Sequence, residues 1–250
     1  MSDVTVERVE HVAVVELHRP PHNYFDQQLI AEVAGAMEAL DADNGCRAIV
    51  LAAEGRSFCA GADFSGGASG VDGGSLYHEA PRLFAITTPI VAAVHGSAIG
   101  GGLGLALVAD FRVTCVEARW AANFTQLGFH PGFALTVTLP ELVGRQVARE
   151  LFFSGRRVPG DEAARLGLAD ECVEQTAVRD RAFARAAAIA VSAPLAVRAV
   201  KATLDAGRVE RLRAATDHEL AEQARLLATA DAKEGIRASL ERRRPVFGGE

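Results

Sequence analysis

The sequence predicts an α/β fold with a helical C-terminal region, and three observations carry that prediction. The run Ala48–Ala53 is apolar throughout, like a strand that a parallel sheet buries on both faces. From Ile90 the chain reads as strand, glycine turn, helix and then a second strand at Phe111–Cys115, which is a βαβ unit. After Arg145 the spacing is helical almost to the end.

Taken in order, Val4–Glu10 and Val12–Leu17 alternate as two strands joined at Glu10 and His11. Arg19, Pro20, Pro21, His22 and Asn23 form a loop, because two prolines remove backbone donors there. Asp26 caps a helix whose apolar positions are Leu29, Ile30, Val33, Met37 and Leu40; Asp41, Asp43, Asn44 and Gly45 end it. The strand Ala48–Ala53 follows, then a loop over Gly55–Gly61. A Gly/Ser-rich stretch to Ser75 is expected to order around a ligand. A helix is predicted over Leu76–Ile86, a strand over Ile90–Val94, and a turn through Gly96, Ser97, Ala98 and Ile99. The glycines Gly100, Gly101 and Gly102 then open a helix of Leu and Ala. Another turn spans Leu127–Gly132, and a helix is expected to follow it. Helices are predicted over Gln146–Ser154, Asp161–Gly167, Ala177–Val191, Pro194–Ala206 and Val209–Arg243. No linker divides the chain, so 1–190 reads as an α/β core and 191–250 as a helical region appended to it.

With 250 residues, 49% of them hydrophobic, the chain can bury one large core. A net charge of −6 argues against nucleic acid or an anionic membrane as partner. Asp3, Glu7, Arg8 and Glu10 interrupt any basic-then-apolar leader pattern. Leu83 to Ala109 is uncharged and long enough to span a bilayer. Its glycines, together with Pro89 and His95, read instead as a buried strand, turn and helix. Cys46, Cys59, Cys115 and Cys172 are scattered with no CxxC pair, which reads as free thiols in a reducing cytoplasm and gives no metal-ligand spacing.

The glycine run is the chemical signal, because glycines at a helix start let backbone N–H groups touch a ligand. A dinucleotide fingerprint begun at Gly100 needs glycine where Leu105 stands. A phosphate loop needs a lysine that is absent, and Ser97 directly after Gly96 breaks the pattern of a serine nucleophile elbow. Cys59 with His95 is a poor nucleophile and base pair, given the apolar setting of the thiol. What remains is an anion site for a carbonyl oxygen. The turns Gly61-Ala62 and Gly100-Gly101 each offer one N–H, and two such donors on one oxygen make an oxyanion hole.

The segment SFCAGADF (Ser57 to Phe64), followed by AAVHGSAIGGGLGLALVAD (Ala92 to Asp110), resembles the enoyl-CoA hydratase/isomerase, or crotonase, family. The likeness continues through LGFHPG (Leu127 to Gly132), SGRRVPGDEAARLGLAD (Ser154 to Asp170) and ERRRPVF (Glu241 to Phe247), essentially the whole chain. The resemblance implies a spiral of repeated ββα or βαβ turns with a C-terminal helical trimerisation region, assembled as a homotrimer or a dimer of trimers. It also implies an acyl-CoA substrate whose thioester oxygen rests on the N–H groups of Ala62 and Gly101. Coenzyme A then enters as part of the substrate, with no tightly bound cofactor and no metal. His22, Asn23, Ala60, Asp63 and Phe64 match the segments that line the CoA site. Arg242 matches a basic residue that a neighbouring subunit contributes; the aromatic usual three positions earlier is Ser239 here.

Against the pattern of the family's hydratases, the two glutamate positions carry Gly104 and Phe124. Hydration needs a base for water and an acid for Cα, and neither residue supplies one. The aspartate of the family's dehalogenase would stand at Gly132, and that of its naphthoate synthases nearby is also missing. Tyr77, Gly104, Trp120 and Phe124 are then expected to line an apolar acyl pocket, with Trp120 and Phe124 as its wall. His130 and Glu79 are the candidate acid or base, histidine because its charge changes near neutral pH. Gln126 can orient a water but cannot titrate, while His95 and Asp110 read as structural. The expected function is that of a lyase or isomerase that stabilises an enolate. The alternatives are an ordinary hydratase using other acid and base groups, or a CoA-ester binding protein without chemistry.

Overall fold

The computed structural model describes residues 2–62 and 79–250. Asp63, Phe64, Tyr77, the Gly/Ser-rich stretch and the start of the helix expected at Leu76 lie outside the described residues. The strands in chain order are β1 (Val4–Val9), β2 (Val12–Leu17), β3 (Ala48–Ala53), β4 (Ser57–Cys59), β5 (Ile90–Val94), β6 (Ser97–Ile99), β7 (Phe111–Thr114), β8 (Arg119–Ala121), β9 (Val158–Pro159) and β10 (Glu171–Cys172). The helices are α1 (Gln27–Ala42), α2 (Gly101–Ala106), α3 (Leu135–Ser154), α4 (Gly160–Arg165), α5 (Val178–Ala190), α6 (Pro194–Leu204), α7 (Arg208–Leu227) and α8 (Ala230–Leu240), with a further helical run over 79–83.

Two sheets frame the molecule. One has the order β1-β2-β3-β5-β7-β10, the other β4-β6-β8-β9. In the first, only the hairpin β1–β2 is antiparallel; β3 lies between β2 and β5, with Ile49 opposite Ile90. Every residue of β3 is buried, which is why its sequence shows no alternation. The successive pairs β3–β4, β5–β6 and β7–β8 each give one strand to each sheet, so the chain winds as a spiral of ββα turns. Helix α5 lies across the first sheet on Val178, Ala182, Ala186 and Ala190, a row of small side chains at four-residue spacing. Asp110 is structural, as expected: its Oδ2 accepts from the Ile90 N–H at 2.7 Å and from Lys201 Nζ on α6 at 2.8 Å.

Several elements differ from the sequence reading. Residues expected as the loop 55–61 and the turn 96–99 contain β4 and β6, which pair in parallel. A three-residue strand is too short to show a two-residue period, and here pairing, not pattern, makes it. Helix α3 begins at Leu135, following Gly132 as expected, and runs on into the helix expected at Gln146, with a break at Gly144, whose φ is 77°. Its first N–H groups are satisfied by Glu219, far away in sequence, so no local cap announces the start. The long helix expected over 209–243 is two, because Thr229 caps α8 by accepting from the Ala232 N–H at 3.1 Å. Among the described residues, no single helix is long and apolar enough to cross a membrane. The uncharged stretch 83–109 divides into β5, β6 and α2 with their connections.

Candidate active site

The two glycine turns meet. Gly61 has φ of 91°, and a Cβ added to it would stand 2.8 Å from the Ile99 oxygen and 3.8 Å from the Gly101 nitrogen. Gly100 turns the chain out of β6 with φ of 56° and donates its N–H to Ala121 at 2.8 Å. Helix α2 then crosses β4 so closely that a Cβ on Gly102 would fall 2.0 Å from the Cys59 oxygen. That approach is open only to glycine. Ala62 forms a bridge with Phe25, whose N–H donates to Gly61 at 3.0 Å. Among the described residues, neither the Ala62 N–H nor the Gly101 N–H meets a protein acceptor.

The loop before Phe25 is held against β4. Asn23, fully buried with φ of 50°, donates from Nδ2 to the Glu54 and Ser57 oxygens at 2.6 and 2.8 Å and accepts the Arg19 N–H at 2.8 Å. Its carboxamide therefore holds the loop in place. His22 lies 3.1 Å through Nδ1 from Ser57 Oγ and edge-on to Tyr24, and its carbonyl accepts the Ala60 N–H at 3.0 Å. His22, Asn23 and Ala60 are therefore brought together beside the Gly61 turn.

The glycine turn is walled by phenylalanines. A Cβ on Gly101 would lie 2.3 Å from Phe25 Cζ, and one on Gly104 2.6 Å from Phe133 Cβ. Phe124 Cζ sits 3.7 Å from the corresponding point on Gly100, in ordinary contact. The Phe133 ring lies 5.9 Å from that of Phe25 and 6.3 Å from that of Phe84. Phe133 and Ala134 have φ of 62° and 57°, two successive side-chain-bearing residues in the left-handed region, at a cost of about 1–2 kcal/mol each. The carboxylate of Glu219 on α7 offsets this strain by accepting from the Ala134 N–H at 2.8 Å, the Thr136 N–H at 2.9 Å and Thr136 Oγ1 at 2.5 Å. Burial pushes the Glu219 carboxyl above the usual carboxylate range, against the pull of those hydrogen bonds.

Other expected residues fall elsewhere. Trp120, expected on the acyl wall, is 0% exposed and donates its indole N–H to Thr114 Oγ1 at 3.3 Å. It belongs to the core between strands, because β8 pairs on both sides and turns the indole inward. Glu79 is ion-paired with Arg82, which also binds Glu38 of α1. The His130 ring is 2.8 Å through Nδ1 from the Pro131 oxygen, so Nδ1 carries a proton; the ring stands edge-on to His218 of α7. Neither contact of His130 reaches the glycine turn. Gln126 donates to the Ser154 carbonyl at 2.7 Å. Arg242 is exposed beyond α8, with φ of 54°. Burial pushes the Cys59 thiol to about 12, which removes it as a nucleophile. Phe25, Phe133 and Glu219 escaped the sequence reading. Glu219 had one signal, a charged residue on the same helical stripe as Leu212, Thr216 and Gln223, all of them buried.

The paired glycine turns on a ββα spiral define a class, and comparison with known proteins places the chain in it. The family model described as enoyl-CoA hydratase/isomerase matches residues 7–250. A Bacillus subtilis protein named probable enoyl-CoA hydratase is 34% identical, over 100% of both chains. The crotonyl-CoA hydratase of Syntrophomonas wolfei is 32% identical, over 98% of each. Among solved structures, an enoyl-CoA hydratase/isomerase from Pseudoalteromonas atlantica superposes with a TM-score of 0.90 at 30% identity, covering 99% of this chain and 100% of that one. The chain belongs to the enoyl-CoA hydratase/isomerase family and has the crotonase fold.

Proposed function

We propose that the protein binds an acyl-CoA thioester and polarises its carbonyl between the N–H groups of Ala62 and Gly101, stabilising an enolate-type intermediate. The observation that carries this reading is the contact of the Gly61 and Gly101 turns, with both donors left without an acceptor among the described residues. Negative charge that forms on a thioester oxygen when Cα loses a proton, or when Cβ gains a nucleophile, would meet two fixed dipoles. One such donor is worth about two to three decades in rate. His22, Asn23 and Ala60 shape the CoA entrance of this site, with Asp63 and Phe64 following them in sequence. Arg242 is available to a phosphate on a neighbouring subunit in a trimer or dimer of trimers.

Positions 104 and 124 carry no acid or base. If each missing proton transfer is worth about two to four decades, hydration of crotonyl-CoA should run far below that of a two-glutamate relative. Isomerisation, decarboxylation, C–C cleavage or thioester hydrolysis all remain compatible with an oxyanion hole. The names of the relatives favour a second reading, an ordinary hydratase whose acid and base are His130 or Glu79. Calorimetric titration should give micromolar affinity for crotonyl-CoA; absence of binding to any acyl-CoA would overturn the proposal. Rapid hydration, lost in His130→Ala or Glu79→Ala, would establish the second reading. Mass spectrometry across a panel of CoA thioesters identifies the reaction.

A further inference from the structure

Helix α2 presents Gly101 and Gly104 one turn apart, and a phenyl ring stands on each. Phe25 occupies the space over Gly101 and Phe133 the space over Gly104, with the two rings 5.9 Å apart. An acyl chain that runs from a carbonyl at the Gly101 N–H along α2 toward Gly104 would meet this aromatic surface. Phe25, Phe84, Phe124 and Phe133 are each 6% exposed or less, so the surface is closely filled; the Arg208 guanidinium stands 5.9 Å from the centroid of the Phe84 ring. Phe133 is aimed there by an unusual backbone, two successive left-handed residues, which the buried Glu219 carboxylate holds through Ala134 and Thr136. Strain of this kind persists only where the surroundings over-determine it. Here the determining group comes from α7, whose contacts with α3 join the C-terminal helices to the acyl side of the site.

We propose that Phe133 sets the length limit of the acyl group, restricting the site to short acyl chains, and that Glu219 is the positioning residue that holds Phe133 in place. This rests on the acyl-CoA reading above and names its substrate class. Phe133 would touch the acyl chain; Glu219 would act only through the backbone of Ala134 and Thr136.

The test is a calorimetric titration of butyryl-CoA and octanoyl-CoA into the wild type, Phe133→Ala, Phe133→Leu and Glu219→Gln, each confirmed folded by circular dichroism. The wild type should prefer butyryl-CoA. Each methylene newly accommodated is worth roughly fourfold in affinity, so Phe133→Ala should move the octanoyl-to-butyryl ratio by about tenfold or more. Phe133→Leu, which keeps an apolar core and covers the case in which the alanine variant fails to fold, should move it a few-fold the same way. Glu219→Gln should shift the ratio in the same direction while butyryl-CoA affinity stays within a few-fold, a change that general loosening of the fold would not produce. An unchanged ratio in both Phe133 variants, or a wild type that binds octanoyl-CoA as tightly as butyryl-CoA, overturns this inference and leaves the acyl-CoA reading standing. No binding of either thioester by the wild type overturns both.

Discussion

Gly102 shows how little freedom the site leaves a single residue. Its Cα faces the backbone of Cys59, and a methyl group there would stand 2.0 Å from a carbonyl oxygen that cannot move without breaking the β4–β6 pairing. Gly102→Ala is therefore expected to displace α2 and with it the Gly101 donor. Acyl-CoA affinity should fall by at least about tenfold, together with a drop of several degrees in the unfolding midpoint, since strained substitutions of this kind cost on the order of 1–3 kcal/mol. Unchanged affinity in a calorimetric titration would show that the two turns do not need their observed contact. The glycine run was readable as a motif because no other residue type permits such an approach. The phenylalanines that fill the opposite side were not, since nothing in the neighbourhood of Phe133 says that its backbone turns left-handed.

Helix α1 was legible almost to the residue. Asp26 accepts the Leu29 N–H at 2.9 Å, and the apolar stripe chosen by spacing includes the buried Leu29, Ile30, Val33 and Met37. Its Gly35 has nothing within 4 Å of an added Cβ. Gly35→Ala should stabilise the protein by about 0.8–1 kcal/mol through helix propensity alone, visible as a higher midpoint in chemical denaturation. At the end of the same helix, burial works to raise the Asp41 carboxyl, but hydrogen bonds from Thr88 and Thr87 outweigh it and hold it below the ordinary carboxylate range. A carboxyl lowered on folding adds stability that is present above its unfolded pKa of about 3.8 and is lost as pH falls through the folded value. Thermal midpoints should accordingly decline below about pH 4, less steeply in Asp41→Asn. Equal acid slopes for the two proteins would assign the decline to other groups.

Viewed whole, the chain divides its tasks between a spiral of strands that sets the glycine turns in contact and a set of C-terminal helices, of which α7 packs on α3 and α8 on the helical turn over 123–127. The first helix of that set, α6, buries none of its residues and leaves Leu195, Val200 and Leu204 between 60% and 78% exposed. Apolar side chains on one helix are expected to be covered in an assembly. Light scattering should give a trimer or a multiple of one, and Leu204→Asp should shift it toward smaller species; a wild type that is strictly monomeric would contradict the assembly. Local order, apolar period and the two glycine motifs were written in the sequence, because each depends on residues near one another along the chain. They determined the α/β class and the family. Contacts between distant residues decided the rest: the three-residue strands β4 and β6, the removal of Trp120 to the core, and the hydrogen bonds of Glu219 to Ala134 and Thr136 beside Phe133. Those features arise where groups far apart along the chain satisfy each other's hydrogen bonds or fill each other's space, and no local pattern records such a pairing.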